Sequence, residues 1–265
     1  MAKSGQKIWT REEHILAFNL YNRIAFGKFH SKNPDVIRLA ALIGRTPSSV
    51  AQKLSNFARL DPALQARGIR GLSHGAKGEE LIWQQFKKDP EGVAFESEKL
   101  RADRLAKPVE EVAEIDVRDL PAAGIDREAI VRVRVNQNFF RRRIVSAYET
   151  RCCVSGLTVK ELLVASHIIP WAEDAANRLN VRNGLCLNAL HDRAFDRGLM
   201  WIDDGFVIRF SKRLATGRKQ IDDTLNWLSS FEGQPLRVPK QFFPDPELLR
   251  RHAKRSVESH HTVSE

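Results

Sequence analysis

The sequence predicts an α+β protein with a helical N-terminal domain (residues 1–75), a charged, partly helical connector (76–129) and a C-terminal domain (130–265) that mixes short strands with helices. Two observations predict this class. Apolar residues recur with helical spacing near the N-terminus, and short apolar strands followed by a capped helix occur after residue 161. A chain of 265 residues is long enough for more than one domain.

The N-terminal domain is predicted to contain three helices. Thr10 and Glu13 form a capping box at the start of a helix over residues 9–26. A second helix over residues 35–43 follows Pro34 and ends at Gly44, and a third begins at Thr46 and Pro47.

The stretch LAALIGRTPSSVAQKLSNFARL resembles a helix-turn-helix, whose second helix enters the major groove of DNA. The resemblance implies that polar and basic residues near the start of this helix face DNA. They are Arg45, Ser48, Ser49, Gln52 and Lys53. The alternative is a small helical bundle whose polar face meets only water.

The middle of the chain is expected to be a connector with some helix of its own, including residues 79–86, which Asp89 and Pro90 should stop. Residues 130–135 alternate Val and Arg as a strand or extended arm would, and residues 139–148 favour a helix. This helix carries Arg141, Arg142 and Arg143, which could clamp a phosphate or simply form a solvated face.

Charge indicates the class of partner. The net charge is +10, and it is distributed as +8 over residues 1–75, −5 over 76–130 and +7 over the remainder. Two basic modules flanking an acidic connector favour a nucleic-acid partner, because cations release counterions from a phosphate backbone. The alternative is a basic surface without a ligand.

Composition argues against other classes. Hydrophobic residues make up 42% and charged residues 29% of the chain, and no apolar run is long enough to span a bilayer. The N-terminus lacks the apolar segment of a secretory signal, so a cytoplasmic protein is expected. Cys152, Cys153 and Cys186 are too few for a disulfide framework or a four-cysteine zinc site, so reduced thiols are expected.

The chemistry is predicted to lie in LLVASHIIPWAEDAANRLNVRNGLCLNALHDRAFDRGL, residues 162–199. An apolar strand ends at His167, a polar loop follows, residues 184–187 form a second strand, and Asn188 begins a helix that Gly198 ends. A hairpin is expected next, with Asp204 and Gly205 in a type I′ turn.

This segment resembles the HNH endonuclease family, with its ββα-metal fold, and within it the branch of restriction-type nucleases. The resemblance is carried by SHIIPW around His167, RNGLCL around Asn183 and LHDRAFDRGL around His191. It extends upstream to NQNFFRRRIVSAYETRCCVSG and downstream to LRVPKQFFPDPELLRRHAKR, so it takes in about half of the chain.

The resemblance implies that His167 is the general base, that Asn183 fixes the loop and orients the imidazole, and that His191 is a metal ligand. Phosphodiester hydrolysis needs these groups, because a base must deprotonate water and a cation must absorb charge on the phosphate. Taken singly, each residue has an ordinary explanation as a core histidine, a turn or a helix start.

One position departs from the family. Many members place Asp immediately before the base histidine as a metal ligand, whereas this chain has Ser166, a poor ligand. The expected metal residues are therefore His191, Ser166 and Asp196, with Asp192 a further candidate. Mg²⁺ or Mn²⁺ is expected, and an imidazole ligand leaves room for Ni²⁺ or Zn²⁺. No structural zinc is expected, because CVSG has a single cysteine.

The sequence thus predicts a metal-dependent endonuclease that cleaves double-stranded DNA, by analogy in restriction or phage defence. A homodimer is possible, because one active centre per chain leaves the opposite strand uncut. Two alternatives remain: a DNA-binding regulator on a decayed nuclease scaffold, and a nuclease that senses modified bases.

Overall fold

The structure is a computed structural model, and it describes residues 7–68, 77–118, 120–121, 123–214, 223–240 and 242–258. The chain divides into two compact units, Met1–Arg143 and Ile144–Glu265. Among the described residues, no helix is long and apolar enough to cross a membrane.

The first unit is helical. In chain order its helices are α1 (Arg11–Arg23), α2 (Pro34–Ile43), α3 (Pro47–Leu60), α4 (Pro62–Gln65), α5 (Lys77–Lys88), α6 (Pro90–Leu105), α7 (Val109–Val112) and α8 (Ile125–Ala147), whose last residues belong to the second unit. The predicted starts of α1, α2 and α3 are confirmed. Thr10 and Glu13 form the capping box of α1, Asn33 and Thr46 cap α2 and α3, and Gly44 ends α2 with a left-handed φ of 65°.

Aromatic side chains of α1, α3 and α5 form the core of this unit. The Phe18 ring is fully enclosed, with its centroid 5.3 Å from that of Phe57, 5.9 Å from Trp83 and 4.9 Å from Phe86. Edge-to-face and tilted contacts of this kind add to the apolar area that each ring buries. Phe26 and Phe29, in the connection between α1 and α2, pack against the same core.

Much of the segment predicted to be a connector is instead part of the helical first unit. Asp89 and Pro90 end α5, but Asp89 also caps α6 by accepting a 2.9 Å hydrogen bond from Gly92 N, so a second helix starts at once. Helix α6 packs on α1, where Asn19 Nδ2 donates to Ser97 Oγ at 2.7 Å and to Glu98 Oε1 at 3.0 Å. Residues 77–105 therefore belong to the first unit, which ends at 143 rather than at 75.

The strand or extended arm predicted for residues 130–135 is wrong, because these residues lie within α8. Val131, Val135 and Phe139 are buried and are spaced four residues apart, whereas Val133 is 38% exposed. The alternation of Val and Arg therefore coincides with a helical repeat of four residues, which sets the buried face.

The second unit has the predicted order of strand, loop, strand and helix. Strands β1 (Leu163–His167) and β2 (Gly184–Asn188) pair antiparallel, with Leu163 opposite Asn188 and His167 opposite Gly184. The remaining elements are α9 (Ala189–Asp196), β3 (Met200–Ile202), β4 (Ile208–Phe210), α10 (Asp223–Ser229) and α11 (Pro246–Glu258).

The hairpin of β3 and β4 is confirmed, but its turn is not type I′. The left-handed residue is Phe206, with φ 59°, and Gly205 has no positive φ. Instead, one side-chain oxygen of Asp203 accepts hydrogen bonds from Gly205 N at 3.0 Å and from Val207 N at 2.9 Å. A local carboxylate therefore sets the turn that the Asp-Gly pair was expected to set.

Candidate active site

The strand order brings the ends of β1 and α9 together. His167 is the last residue of β1, and Asn188, at the end of β2, caps α9 by accepting hydrogen bonds from Leu190 N at 3.1 Å and His191 N at 2.9 Å. Asp192 therefore lies in the first turn of α9, and Asp196 lies one turn later on the same helix face.

The His167 imidazole is held by a backbone carbonyl. Its Nε2 lies 2.9 Å from the carbonyl oxygen of Arg178, and since a carbonyl only accepts, Nε2 carries the proton. Burial lowers the pKa of His167, while the bond to Arg178 and the negative charge of Asp196 act in the opposite direction. The ring is thus neutral near pH 7, with the basic lone pair on Nδ1.

Asn183 fixes the loop between the two strands. Its Oδ1 accepts a hydrogen bond from Ile169 N at 2.8 Å, and its Nδ2 donates to Ile169 O at 3.0 Å and to Asn177 O at 3.1 Å. The side chain is fully buried. This geometry agrees with the loop-fixing part of the predicted role, because the restrained segment leads directly from His167.

His191, the predicted metal ligand, lies in the core of the second unit. Its side chain is fully buried, its Nδ1 lies 3.9 Å from Cys152 Sγ, and its ring centroid is 5.2 Å from those of Trp227 and Phe231. Burial lowers its pKa to about 4. Within the described part of the chain its Nε2 has no hydrogen-bond partner. The imidazole is therefore enclosed and neutral near pH 7, and because a metal ligand must also be neutral, its role as a ligand stays a prediction.

His191 belongs to a small internal network that ties the turn before β1 to the start of α9. Asn188 N and Ser155 N donate to Cys152 Sγ at 3.3 and 3.4 Å, and Asn188 Nδ2 donates to Ser155 Oγ at 3.0 Å. All three cysteines of the chain are buried thiols. The network braces the cap of α9, and so it supports the helix that carries the two aspartates.

Asp192 and Asp196 both lie on α9, and the charge of Asp196 acts on the base. Burial raises the pKa of Asp192, and the charge of Asp196 adds to this rise. Burial also raises the pKa of Asp196, against the opposing charges of Arg193, Arg197, Arg255 and His167. The mutual repulsion of the two carboxylates would be relieved by a cation placed between them.

Ser166 adds an oxygen to this group. Its Oγ is buried without a hydrogen bond of ordinary geometry to any residue that the structure describes, although it is near enough to Asp192 to lower the pKa of that carboxyl. Over the described ranges, no group of three or more His, Cys, Asp or Glu side chains is placed to hold a metal ion. Two carboxylates and a hydroxyl nevertheless fit Mg²⁺ or Mn²⁺, which commonly take one or two carboxylates and complete their shell with water and substrate phosphate.

Two of the residues predicted to contact DNA form ion pairs inside the first unit. Arg45 Nη2 lies 2.6 Å from Glu13 Oε2, and Lys53 Nζ lies 2.5 Å from Glu79 Oε1. All four side chains are less than 9% exposed. These cations are therefore unsuited to bind phosphate. The other members of the predicted set stand at the surface or partly so: Ser48, Ser49 and Gln52.

The predicted phosphate clamp on α8 needs a similar correction. Arg142 donates to Glu98 Oε1 at 3.2 Å and lies 3.5 Å from Glu114 Oε1. The guanidinium of Arg143 lies 5.3 Å from the centroid of the Phe86 ring, and burial lowers its pKa to about 10. Arg142 and Arg143 therefore stabilise the first unit, and Arg141 is partly buried.

Residues 152–203 match the family model described as HNH endonuclease. The second unit therefore contains an HNH endonuclease domain. The match takes in β1, β2 and α9 and ends in the turn after β3, so it includes Ser166, His167, Asn183 and both aspartates. Comparison with curated proteins gives no match.

The match to the HNH model indicates a class of activity for the domain, which is nuclease hydrolysis. The matched segment begins at residue 152, so the first unit lies outside it. The resemblance of α2 and α3 to a helix-turn-helix stays a prediction.

Proposed function

We propose that this protein is a metal-dependent DNA endonuclease with His167 as its general base, acting in restriction or phage defence. The main support is the His167 imidazole, which is neutral, tethered through Nε2 to the Arg178 carbonyl and close to the charge of Asp196. These features lie inside a segment that matches the HNH family.

In this proposal each residue has one task. His167 Nδ1 accepts a proton from the attacking water, and Asn183 keeps the loop in place while it does so. Ser166, Asp192 and Asp196 would hold a divalent cation, with Mg²⁺ or Mn²⁺ favoured over Ni²⁺ or Zn²⁺ because the ligands are oxygens. The bound cation would stabilise negative charge on the phosphate and the departing oxygen.

DNA docking is assigned to the first unit. Once Arg45 and Lys53 are removed from the predicted set, α3 offers Ser48, Ser49 and Gln52, which can donate hydrogen bonds to phosphates and base edges. Cleavage of both strands would need a second active centre, so a homodimer on DNA is part of the proposal. Mass measurement with and without DNA tests it, and a monomer in both states contradicts it.

The decisive experiment is cleavage of supercoiled plasmid by the full chain with Mg²⁺ or Mn²⁺. We expect His167→Ala to lower the rate by about 100-fold or more, since general bases contribute about 10²–10⁴. Asp196→Asn should also lower it, and more metal should restore part of that loss. His30→Ala is the matched control, because His30 is an exposed histidine of the first unit. Equal nicking by wild type and His167→Ala would remove His167 from the mechanism.

A second candidate function is DNA binding without cleavage. Ser166 in place of a carboxylate, and the two-carboxylate set around it, favour this reading. It predicts salt-sensitive DNA binding and no cleavage with any divalent ion. A third hypothesis is a nuclease that senses modified bases. Cleavage of cytosine-methylated and unmodified plasmids in parallel tests it, because equal rates argue against such sensing.

A further inference from the structure

Helix α11 contacts the loop that follows the base. We call residues 168–183 the base loop. Arg255 Nη1 lies 2.6 Å from Glu173 Oε2, and Arg251 Nη1 lies 3.5 Å from Asp174 Oδ2. At the far end of the loop, Asp245 N donates to Arg182 O at 2.9 Å. Three contacts from one helix and its leading residue therefore reach the same loop.

The contacted part of the base loop is the part that holds His167. Asp174 accepts a 2.9 Å hydrogen bond from Asn177, whose carbonyl accepts from Asn183. Arg178 donates through Nε to Trp171 O at 3.0 Å, and the Arg178 carbonyl accepts from His167 Nε2. The ion pairs to α11 thus end on the same loop, five and four residues before Arg178, whose carbonyl orients the imidazole.

Helix α11 is itself fixed to α9. The rings of His252 and Phe195 stack with centroids 3.7 Å apart and an interplanar angle of 2°, and His252 Nε2 lies 3.2 Å from Phe195 O. A Cβ on Gly198 would lie 3.2 Å from Ser256 Cα, so the two backbones approach closely. Because Phe195 precedes Asp196, α11 is anchored beside the carboxylates and reaches across to the base loop.

The exposure of these ion pairs indicates whether they affect stability or catalytic rate. Arg255 and Glu173 are 41% and 54% exposed, and Arg251 is 49% exposed. Pairs as exposed as these contribute little to stability. By contrast, a displacement of about 1 Å in a reacting group can cost about 100-fold in rate. Their effect on rate can therefore far exceed their effect on stability.

We propose that Arg251 and Arg255 are positioning residues, and that α11 is a clamp that holds the base loop so that His167 faces the scissile phosphate. The inference rests on the proposed function of His167 as the base. In this role neither arginine needs to touch DNA, because each acts through an acidic residue of the base loop.

A double-mutant cycle on the full chain tests the clamp. We expect Glu173→Gln and Arg255→Gln each to lower kcat about tenfold with less than about twofold change in KM. The double variant should be no slower than either single variant, because one contact is removed in all three. Arg250→Gln is the matched control: it removes a cation from the same helix, but Arg250 pairs with Glu247 of α11, at 2.8 Å, rather than with the loop.

Two results would overturn the clamp. If Arg255 binds a DNA phosphate, Arg255→Gln raises KM and reduces the salt dependence of binding by about one charge, while Glu173→Gln does neither. If Arg255 acts only through the charge of Asp196, Arg255→Gln lowers kcat and Glu173→Gln leaves it unchanged.

A second readout does not need cleavage. Nitrogen-15 NMR of the histidines in full-length protein, at a pH where the ring is neutral and without DNA or added metal, reports the His167 tautomer. Wild type should show the proton on Nε2, and Glu173→Gln and Arg255→Gln should shift the ring towards a tautomer mixture. If wild type cuts no DNA but the tautomer shifts, the clamp stands and the proposed function fails. If wild type cuts DNA while kcat and tautomer are unchanged in both variants, the clamp fails alone.

Discussion

His167 and His191 belong to one short motif but lie in different surroundings. Burial lowers the pKa of both, so both are neutral near pH 7. His167, however, ends a strand beside the charge of Asp196, whereas His191 is enclosed by Cys152, Trp227 and Phe231. A helical residue can face either the site or the core, and the packing around α9 decides which.

The Asn183 side chain should contribute to the stability of the second unit. Asn183→Ala removes one acceptor and two donor contacts from backbone groups of Ile169, which is buried, and Asn177, which is partly buried. Because buried polar groups without partners cost about 1–3 kcal/mol each, we expect urea unfolding of the second unit to show a loss of about 2–4 kcal/mol. Plasmid nicking should also fall, since the base loop loosens.

The control for this change is Asn226→Ala, because Asn226 is exposed on α10. Its effect on the free energy of unfolding should stay within about 0.5 kcal/mol. A similar loss in both variants would show that Asn183 has no special role in the loop.

At the scale of elements, α9 is fixed at both ends. Asn188 caps its start, and Gly198 follows its end with a φ of 64°. At Gly198 the backbone both needs the left-handed region and passes close to α11, because a Cβ there would lie 3.2 Å from Ser256 Cα. Glycine therefore satisfies two separate demands at this position.

Gly198→Ala should destabilise the second unit more than Gly233→Ala does. Both glycines have a positive φ, but the Cβ of an alanine at 233 would meet no atom within 4 Å. We expect about 1 kcal/mol for the backbone strain at Gly233 and about 1–3 kcal/mol more at Gly198 from the collision with α11. Thermal unfolding of the two variants measures the difference. Equal shifts would mean that α11 yields without cost.

At the scale of the whole molecule, stability should depend on pH through buried histidines of the second unit. Burial lowers the pKa of His252 to about 4, Arg255 adds to this, and the contact with Phe195 O opposes it. The unfolded chain binds the proton near the ordinary value of about 6.5, so the folded state is favoured above that pH and loses stability as pH falls towards about 4.

His252→Gln tests this directly. The shift corresponds to about 3 kcal/mol between the two pH limits, so urea unfolding between about pH 7 and about pH 4.5 should show a shallower loss in the variant. His30→Gln, on an exposed residue, should keep the wild-type slope. If His252→Gln also keeps it, His252 is not the group that binds the proton on unfolding.

The local features of this protein follow from its amino-acid sequence alone. The N-caps Thr10, Thr46 and Asn188, the end of α2 at Gly44 and the order of β1, β2 and α9 are confirmed, because each depends on residues a few positions apart and on a repeat of two or four. The HNH motif is confirmed for the same reason, since its order and spacing are properties of the chain.

Whether a charged or titratable side chain is accessible to a ligand depends on the tertiary structure. Arg45 pairs with Glu13 and Lys53 with Glu79, partners 32 and 26 residues away, and His191 meets Cys152 across 39. Arg255 reaches the base loop across 82 residues. Burial and ion pairing depend on what packs nearby in space, and no spacing along the chain encodes those neighbours.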